Sequence, residues 1–247
     1  MLASKSYQIH LSVVIPAFNE EERIGKSLDR MVTFLQAQPY SSEIIIVDDG
    51  SKDRTVECIR RQVGGLEGIT IHEHHRNLGK GKAVRTGMLL GNGEYLFFSD
   101  ADLSVPFETL PKFLAHLENG MDVVIGTRKD AEAVIEVHQP LFRELLGKAF
   151  TLLSNWILGL RVSDFTCGFK GFRREAARTL FPGQQLSGWS FDSEILYLVR
   201  LKGYRVKEVP VVWRNDQETK VRLWRDIITS LLGLFLIRVY HAMGRYR

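Results

Sequence analysis

Short runs of β-branched and aromatic residues alternate with amphipathic segments along the first 130 residues of the chain. The runs are typical of buried strands and occupy residues 12–17, 43–47, 69–74, 94–99 and 122–126. The apolar spacing between them predicts helices over residues 20–37, 53–63, 80–90 and 106–117. Strands that alternate with helices form right-handed βαβ crossovers, which cover both faces of a sheet. The sequence therefore predicts an α/β fold with a mostly parallel central sheet.

The second half of the chain contains no linker rich in proline or serine. A segment rich in leucine, phenylalanine and tryptophan at residues 140–160 predicts a helix, and a stretch punctuated by glycine follows at 164–174. A helix over residues 192–202 and a strand over 204–213 precede a basic tail. Because 247 residues fit one large domain with an appendage, we divide the chain into a domain at 1–220 and a tail at 221–247.

The formal net charge of +4 is concentrated in the tail. Residues 220–247 contain six lysines and arginines and one aspartate, so this segment carries +5 and the remainder of the chain −1. A basic segment of this kind suits a local anionic partner such as a membrane surface, whereas a nucleic-acid-binding domain carries its charge over a broad face. We therefore expect a membrane surface, and no nucleic acid, among the partners.

The tail also contains an apolar run at residues 227–237, flanked by Arg222, Arg225 and Arg238. A run of 11 residues is shorter than the roughly 20 needed to span a bilayer. A helix of this composition can instead lie in the headgroup layer with its arginines on anionic lipids. We predict a C-terminal amphipathic helix of that kind, and two alternatives stay open: docking on the protein core and a dimer contact.

Two cysteines, Cys58 and Cys167, are too few for a disulfide framework. The residues before Pro16 contain no continuous apolar stretch of the signal-peptide kind. These features predict a cytoplasmic protein. Together with the tail, they predict a peripheral position on the cytoplasmic face of a membrane.

Polar residues follow three of the predicted strands at the point where each strand ends. They are FNE at 18–20, DDGS at 48–51 and DAD at 100–102. Ligands of open α/β sheets bind outside the carboxyl ends of the strands. Acidic groups that converge there repel one another unless a cation or a hydrogen-bonding ligand offsets their charge. The sequence therefore predicts a ligand site at this edge of the sheet.

Asp100 and Asp102 offer two hard oxygen ligands that can share a Mg²⁺ or Mn²⁺ ion with open coordination positions. Such a metal would neutralise the charge that develops on a departing diphosphate. A bare D-x-D also occurs in solvated turns, where its side chains cap nearby backbone, and these two residues alone leave that alternative open. Their place after a buried strand favours the metal site.

The aspartates at 48–49 allow two roles at once. Asp49 or Ser51 can cap the helix predicted from residue 53, while the other acidic residue accepts hydrogen bonds from a base or a ribose. The basic loop at 76–82 has neither the spacing of a P-loop nor that of a dinucleotide fingerprint. It indicates a cationic loop at a helix N-terminus, with Lys80 suited to a nucleotide. Solvated lysines are the alternative.

Three histidines, His72, His74 and His75, flank Glu73 and resemble a metal cluster. Strand alternation places His72 and His74 on one face and His75 on the other. No further cysteine or histidine follows at ligand spacing, so a structural role is favoured over a metal site.

Four motifs occur in a familiar order: VIPAFNEE at 14–21, DDGS at 48–51, NLGKG at 77–81 and DAD at 100–102. In this order they resemble the inverting glycosyltransferases of family 2. The resemblance implies a Rossmann-like nucleotide-sugar domain of the glycosyltransferase A type. It runs in register from residue 11 to residue 225.

Later segments narrow the resemblance to the dolichyl-phosphate glucose synthases (dolichyl-phosphate β-glucosyltransferases), with the dolichyl-phosphate mannose synthases close behind. These segments are GTR at 126–128, DFTCGFK at 164–170, WSFD at 189–192 and EVP at 208–210. The mannose enzymes carry a lysine where this chain has Ser190. That departure favours UDP-glucose over GDP-mannose as the donor.

The resemblance also implies roles for individual residues. The nucleoside would be held by Pro16, Phe18, Glu20, Val47 and Asp49. The metal, Mg²⁺ or Mn²⁺, would be held by Asp100 and Asp102, with Ala101 against the nucleotide and Ser104 where the mannose enzymes often have an assisting glutamine. The donor diphosphate and the acceptor phosphate would be met by Arg128 and Arg143, and the acceptor would be positioned by Asp164.

The expected mechanism depends on the acceptor. A hydroxyl acceptor needs a general base to remove its proton, whereas a lipid phosphate is already an anion and needs cationic positioning, which Arg128 and Arg143 can supply as bidentate forks. We therefore expect the inverting transfer of a sugar, preferably glucose from UDP-glucose, to a polyprenyl or dolichyl phosphate at a membrane surface.

Four other functions stay open to different degrees. The nearest are mannose transfer from GDP-mannose to polyprenyl phosphate and transfer to a saccharide or protein hydroxyl, which would need a carboxylate base. A sugar-1-phosphate nucleotidyltransferase would need a glycine-rich basic loop after the first strand, where this chain has Phe18-Asn19-Glu20. A non-catalytic nucleotide-sugar-binding module is disfavoured because both metal aspartates are present.

Overall fold

A computed structural model describes residues 8–136, 141–214 and 223–246. Within these residues, seven strands form one sheet in the order β3-β2-β1-β4-β7-β5-β8, and two short strands, β6 and β9, form a second. The strands are β1 Ile9–Ala17, β2 Ser42–Asp48, β3 Ile69–Glu73, β4 Gly93–Phe98, β5 Val123–Thr127, β6 Val134–Ile135, β7 Lys170–Arg173, β8 Val206–Pro210 and β9 Val212–Trp213. In the large sheet, β7 is antiparallel to both of its neighbours and the remaining pairs are parallel. The predicted α/β fold with a mostly parallel sheet is confirmed.

The helices lie between the strands as the apolar spacing predicts. They are α1 Ile24–Gln36, α2 Thr55–Val63, α3 Lys80–Leu90, α4 Leu110–Glu118, α5 Leu141–Leu158, α6 Arg174–Gly183, α7 Phe191–Leu201 and α8 Leu223–Ala242, with a short 3-10 helix at Phe107–Thr109. The predicted helix over 106–117 is thus divided, because the 3-10 turn precedes α4.

Two hydrophobic layers cover the two faces of the sheet. Alternate residues of β1 separate them, since Val13 and Ile15 belong to one layer and Val14 to the other. Helices α1, α2 and α4 pack in the first layer, and α3, α6, α7 and α8 pack in the second. Strands buried on both faces consist of nearly continuous apolar residues, which is why the sequence predicts them well.

Strand β7 and helix α6 occupy the stretch that the sequence analysis left without regular structure after residue 164. The antiparallel strand begins with Lys170, whose side chain is fully buried. The Lys170 ammonium donates to the carbonyl oxygens of Phe165 and Cys167 and to Asp192 Oδ1 of α7, at 2.5–3.0 Å. A charged residue followed by Gly171 does not look like a central strand, so tertiary hydrogen bonds determine this element.

The strand predicted over residues 204–213 is two strands. Strand β8 extends the large sheet beside β5, while β9 leaves it and pairs with β6. Helix α8 then packs on the second layer through Leu234 and Ile237, both fully buried. The predicted boundary at residues 220/221 lies outside the described residues. Within the described part of the chain, no helix combines the length and the hydropathy that spanning a bilayer requires.

Candidate active site

An open cleft of about 1210 Å³ lies at the carboxyl ends of β1, β2 and β4. Most of the residues that the sequence analysis singled out line it, namely Pro16, Phe18, Glu20, Asp49, Lys80, Asp100, Ala101, Asp102, Ser104 and Arg128. Val47 is buried in the second hydrophobic layer and Asp164 is buried behind Arg128, so neither lines the cleft. Arg143 lies in α5, but its side chain lies outside the described part of the structure.

The loops after the strands are fixed by backbone conformations that few side chains adopt. Asn19 and Leu103 have φ angles of 53° and 52° and are the non-glycine residues with positive φ in the described chain. Asn19 lines the cleft after β1, and Leu103 lies between the cleft residues Asp102 and Ser104. Such conformations cost free energy and persist where the surrounding structure enforces them, often at functional sites. For Asn19, the enforcing contacts come from the loop after β2, where its Oδ1 accepts from the Lys52 amide at 2.8 Å.

The two aspartates after β2 have separate roles. Asp48 Oδ2 accepts from the amides of Gly50 and Ser51 and so shapes its own loop. Asp49 accepts from the amides of Leu78 at 2.9 Å and Gly79 at 2.8 Å, and therefore fixes the basic loop that precedes α3. The sequence analysis assigned Asp49 to the nucleoside; the structure places it at the cleft with much of its carboxylate engaged by backbone.

His74 completes the environment of Asp49. Its Nδ1 lies 2.8 Å from Asp49 Oδ1 and its Nε2 lies 3.1 Å from Thr86 Oγ1, so both ring nitrogens are hydrogen-bonded within the fold. Among the described residues, no group of three or more histidine, cysteine or acidic side chains is arranged to hold a metal. The structural interpretation of this histidine is therefore favoured by its contacts.

Lys80 and Asp100 form the central ion pair of the cleft. Lys80 Nζ lies 2.5 Å from Asp100 Oδ1 and 5.1 Å from the centre of the Trp189 ring. Burial alone would lower the pKa of Lys80, but the carboxylates of Asp100, Asp192 and Asp102 together outweigh it, and the pKa is raised. Lys80 is thus a cation held beside Asp100. It has this position because it begins α3, directly after the loop that Asp49 fixes.

Asp102 is the second carboxylate of the D-x-D motif. Its Oδ1 accepts from the Ser104 amide at 2.9 Å. Burial, and then the charge of Asp100, raise the pKa of Asp102, so the carboxylate gains from any further cation placed beside it. Gly168 lies so close to Asp100 that a Cβ atom there would overlap the carboxylate. Two converging carboxylates, one of them poorly compensated, are suited to a small divalent cation that takes its other ligands from phosphate and water.

Arg128 directly follows β5, lines the cleft and is held in one orientation. Its Nε and Nη2 donate to the two oxygens of Asp164 at 2.7 and 2.8 Å, and Nη2 also donates to Thr166 Oγ1 at 2.8 Å. The guanidinium stacks 5.4 Å from the Trp213 ring centre. Although burial opposes it, the Arg128 charge holds the pKa of Asp164 well below its usual range. Asp164 does not line the cleft itself; it affects the cleft by fixing the orientation of Arg128.

The structure adds residues to the cleft that the sequence analysis did not assign to a site. They are Asn19, Arg23, Asn77, Thr166, Gly168, Trp189, Trp213, the segment 185–188 and, from α8, Thr229, Gly233, Leu236 and Tyr240. The contact between Glu20 and Arg23, which precede α1, could have been predicted from their i, i+3 spacing. The residues that α8 contributes to the cleft could not be recognised from the local sequence, because their position depends on how the helix docks.

Breaking the buried Arg128–Asp164 pair should produce a pH-dependent loss of stability. We expect Asp164→Asn to lower the free energy of unfolding by about 3 kcal/mol near pH 7, because Arg128 loses its charged partner. The folded-state pKa of Asp164 is depressed, so its contribution is complete above the unfolded-state value of about 3.9 and declines as the pH falls below it. Urea denaturation at several pH values should show the gap between wild type and variant narrowing below about pH 4. A gap that is constant with pH would contradict the charged pair.

Solved structures with this fold include the glucosyl-3-phosphoglycerate synthase of Mycobacterium tuberculosis in complex with UDP. It is 19% identical, with a TM-score of 0.70 over 93% of this chain and 80% of that one. A second complex of that enzyme, with Mn²⁺, UDP-glucose and phosphoglyceric acid, has a TM-score of 0.67 at 19% identity over 93% of this chain and 79% of that one. At this identity the likeness shows the glycosyltransferase A-type fold.

Sequence relatives cover nearly the whole chain. The dolichyl-phosphate beta-glucosyltransferase of Saccharomyces cerevisiae is 36% identical over 97% of this chain and 77% of its own length. The human enzyme of that name is 32% identical over 96% and 77%, and one from Trichomonas vaginalis is 34% identical over 96% and 73%. The profile "Glycosyl transferase family 2" matches residues 12–181. The chain therefore belongs to glycosyltransferase family 2.

Proposed function

We propose that the protein transfers glucose from UDP-glucose to a dolichyl or other polyprenyl phosphate, with inversion at the anomeric carbon. The relatives named above as dolichyl-phosphate beta-glucosyltransferases support the acceptor and the sugar. The observation that carries the proposal is the division of charge across the cleft. Asp49 follows β2 and the D-x-D motif follows β4, while the fixed cation Arg128 follows β5, two positions beyond β4 in the sheet, and all of them line the cleft.

This division suits an anionic acceptor better than a hydroxyl. A hydroxyl acceptor needs a carboxylate base on its own side of the donor. The carboxylate nearest to Arg128 is Asp164, which is fully buried and already engaged with both oxygens in the ion pair. A phosphate acceptor needs no base, and the Arg128 guanidinium can position it. In an in-line displacement, a phosphate oxygen forms the new bond to the anomeric carbon while the bond from that carbon to the β-phosphate oxygen of UDP breaks.

Asp100 and Asp102 would hold Mg²⁺ or Mn²⁺, with Ser104 beside them. Bound there, the ion supplies Lewis-acid stabilisation of the departing diphosphate. The Mn²⁺ and UDP-glucose present with the mycobacterial enzyme of the same fold support this assignment. Lys80 adds a positive charge at the same edge of the sheet and would meet the donor diphosphate if a metal ion offset the charge of Asp100. Both cations would then act on the leaving group, whereas Arg128 follows β5, two positions beyond β4 in the sheet.

The surroundings of Ser190 support UDP over GDP-mannose chemistry. Its side chain lies against α8, where its Oγ is 3.4 Å from the Ser230 carbonyl oxygen and leaves no room for a Cβ atom at Gly233. A lysine, as the mannose enzymes carry at this position, would not fit without moving α8. The observed docking of α8 therefore requires a small side chain, such as serine, at position 190.

Two helices present an exposed apolar face that suits a membrane surface. We call the exposed side chains Phe142, Leu145, Leu152 and Trp156 of α5 and Ile228, Leu232 and Phe235 of α8 the apolar face. Trp156 is 81% exposed and Phe235 is 65% exposed. The spacing within each helix keeps these side chains on one side, and α5 contacts α8. Seven exposed apolar side chains on two contacting helices indicate an interaction site.

Helix α8 connects this face to the cleft. One side of the helix is buried through Leu234 and Ile237, the adjoining side lines the cleft with Leu236 and Tyr240, and the third contributes to the apolar face. A lipid phosphate anchored in a bilayer at the apolar face would thus lie beside the cleft wall. Docking on the core and contact with a membrane are therefore compatible for one helix.

We place the enzyme peripherally on the cytoplasmic face of a membrane. Both cysteines are free thiols in the structure, consistent with a reducing compartment. Of the six cations of the tail, Lys220, Arg222 and Arg247 lie outside the described residues, and the side chain of Arg225 is not described. The Arg245 guanidinium lies 4.6 Å from the centre of the Tyr240 ring. Arg238 is described, and it donates to the Tyr197 hydroxyl at 3.2 Å.

The proposed reaction predicts one product from a defined mixture. Purified protein with Mn²⁺ or Mg²⁺, polyprenyl phosphate and a panel of nucleotide sugars should form glucosyl-phosphoryl-polyprenol from UDP-glucose, resolved by mass, and chelation of the metal should abolish it. The matched control is polyprenol, which has the same chain without the phosphate and should not react. Preferred use of GDP-mannose, or GDP binding about tenfold tighter than UDP, roughly 1.4 kcal/mol, would contradict the donor. Glucosylation of polyprenol would contradict the acceptor.

The apolar face predicts the effect of removing two exposed side chains. Each of Trp156 and Phe235 contributes about 1.5–3 kcal/mol when it is fully buried in an apolar environment. The double variant Trp156→Ser/Phe235→Ser should therefore sediment with anionic phospholipid vesicles at least about tenfold less than wild type. Its turnover with a short, water-soluble polyprenyl phosphate should be unchanged.

The control variant is Leu90→Ser at the exposed end of α3, outside the apolar face. It should sediment with vesicles as wild type does. If the double variant also sediments like wild type, the apolar face does not contact the membrane.

A further inference from the structure

The segment 184–190 forms a wall of the cleft and holds the beginning of α3. The Ser187 carbonyl oxygen accepts from the Gly81 amide at 2.7 Å, and Gln184 Nε2 donates to the Gly81 carbonyl oxygen at 2.8 Å. Gly79 leaves no room for a Cβ atom against the same Ser187 oxygen. The position of this segment therefore sets the first turn of α3, which carries Lys80 to Asp100.

The carboxylate of Glu194 holds this segment by hydrogen bonds to its backbone. Its side chain is fully buried in α7, and its two oxygens accept from the amides of Gln185 at 2.9 Å and Leu186 at 2.8 Å. These are the residues directly before Ser187. A carboxylate that receives two consecutive backbone amides fixes the path of the chain through them.

Tyr246, in the turn after α8, supplies the third donor to this carboxylate. Its hydroxyl donates to Glu194 Oε1 at 2.6 Å, and its side chain is 6% exposed. The ring packs edge-on against Tyr197 of α7. Because Tyr246 follows the helix that carries part of the apolar face, the hydrogen bond joins α8 to the wall of the cleft.

We propose that Glu194 and Tyr246 are positioning residues for the donor: Tyr246 orients Glu194, Glu194 orders residues 185–187, and these set the start of α3 with Lys80. The proposal rests on the proposed binding of UDP-glucose in the cleft. Neither residue lines the cleft, so both act through the segment they hold. Docking of α8 thereby helps to fix Lys80 in the position from which it meets the donor diphosphate.

The conservative variant Tyr246→Phe isolates the hydroxyl, since the ring and its packing are kept. We expect a 5- to 10-fold rise in the Kd of UDP with Mn²⁺, measured by calorimetry, because the hydroxyl is one of three donors that orient the Glu194 carboxylate. The KM for UDP-glucose should rise by the same factor while kcat changes little, as expected for lost ground-state binding. Glu194→Gln should have a larger effect, because its amide nitrogen cannot accept from backbone.

Two controls separate positioning from general stabilisation. Met243→Ala, in the same turn and 61% exposed, should leave UDP affinity unchanged. In a Lys80→Met background, Tyr246→Phe should no longer alter UDP affinity, because Tyr246 contributes to UDP binding through Lys80. The double-mutant cycle should therefore show that the two effects are not additive.

The outcomes distinguish this inference from the function on which it rests. If wild type binds neither UDP nor UDP-glucose, the proposed function fails. If wild type binds and Tyr246→Phe binds equally well, the inference is overturned. A lower melting temperature with full additivity in the Lys80→Met background would likewise overturn it, since it would show a purely structural role.

Discussion

Negative charge gathered at the carboxyl edge of the sheet is the constraint on which the rest of this structure depends. Strands β2 and β4 bring Asp49, Asp100 and Asp102 to one place, and Asp164 from the loop after α5 and Asp192 of α7 lie near them. Each of these carboxylates needs donors or a cation, because burying an uncompensated carboxylate costs several kcal/mol. Asp100 has Lys80, Asp164 has Arg128 and Asp192 has Lys170. Asp49 has backbone amides and His74. The loops around the cleft are shaped by these pairings.

One carboxylate stands apart. Asp102 accepts from the Ser104 amide, and its raised pKa shows that burial beside Asp100 is unfavourable for its charge. A divalent cation bound at the D-x-D motif, as proposed, would offset that charge, and Lys80 would then be free of Asp100 to meet the donor diphosphate. The stability of the fold and the proposed binding of a nucleotide sugar therefore have the same electrostatic origin.

The sequence was sufficient for the elements whose residues are locally consistent. Strands such as β2 are continuous apolar runs, and the first four helices have clear spacing, so their order and the sheet class were predictable. Strand β7 was not, because Lys170 is stabilised by Asp192 from a distant helix. The separation of β8 from β9 was also unpredictable, since it depends on the pairing partners of each.

The same distinction applies to the site. Motifs next to strand ends, such as Asp100-Ala101-Asp102, could be placed from topology alone, and the structure gathers them in one cleft. Asp164 was expected to position the acceptor; the structure buries it as the partner of Arg128, through which such positioning would have to act. The wall formed by residues 185–188 and α8 could not be predicted, because it requires the docked position of a helix whose buried, cleft-lining and exposed sides are all rich in apolar residues.

The most direct measurement is calorimetric titration of Mn²⁺, in the presence of UDP, into wild type, Asp102→Asn and Asp122→Asn. Asp122 lies at the opposite edge of the sheet and pairs with Arg205, so its substitution makes the same chemical change away from the cleft. The account predicts that Asp102→Asn loses at least about tenfold in Mn²⁺ affinity, roughly 1.4 kcal/mol, while Asp122→Asn binds as wild type does. Equal affinity of all three proteins would contradict it.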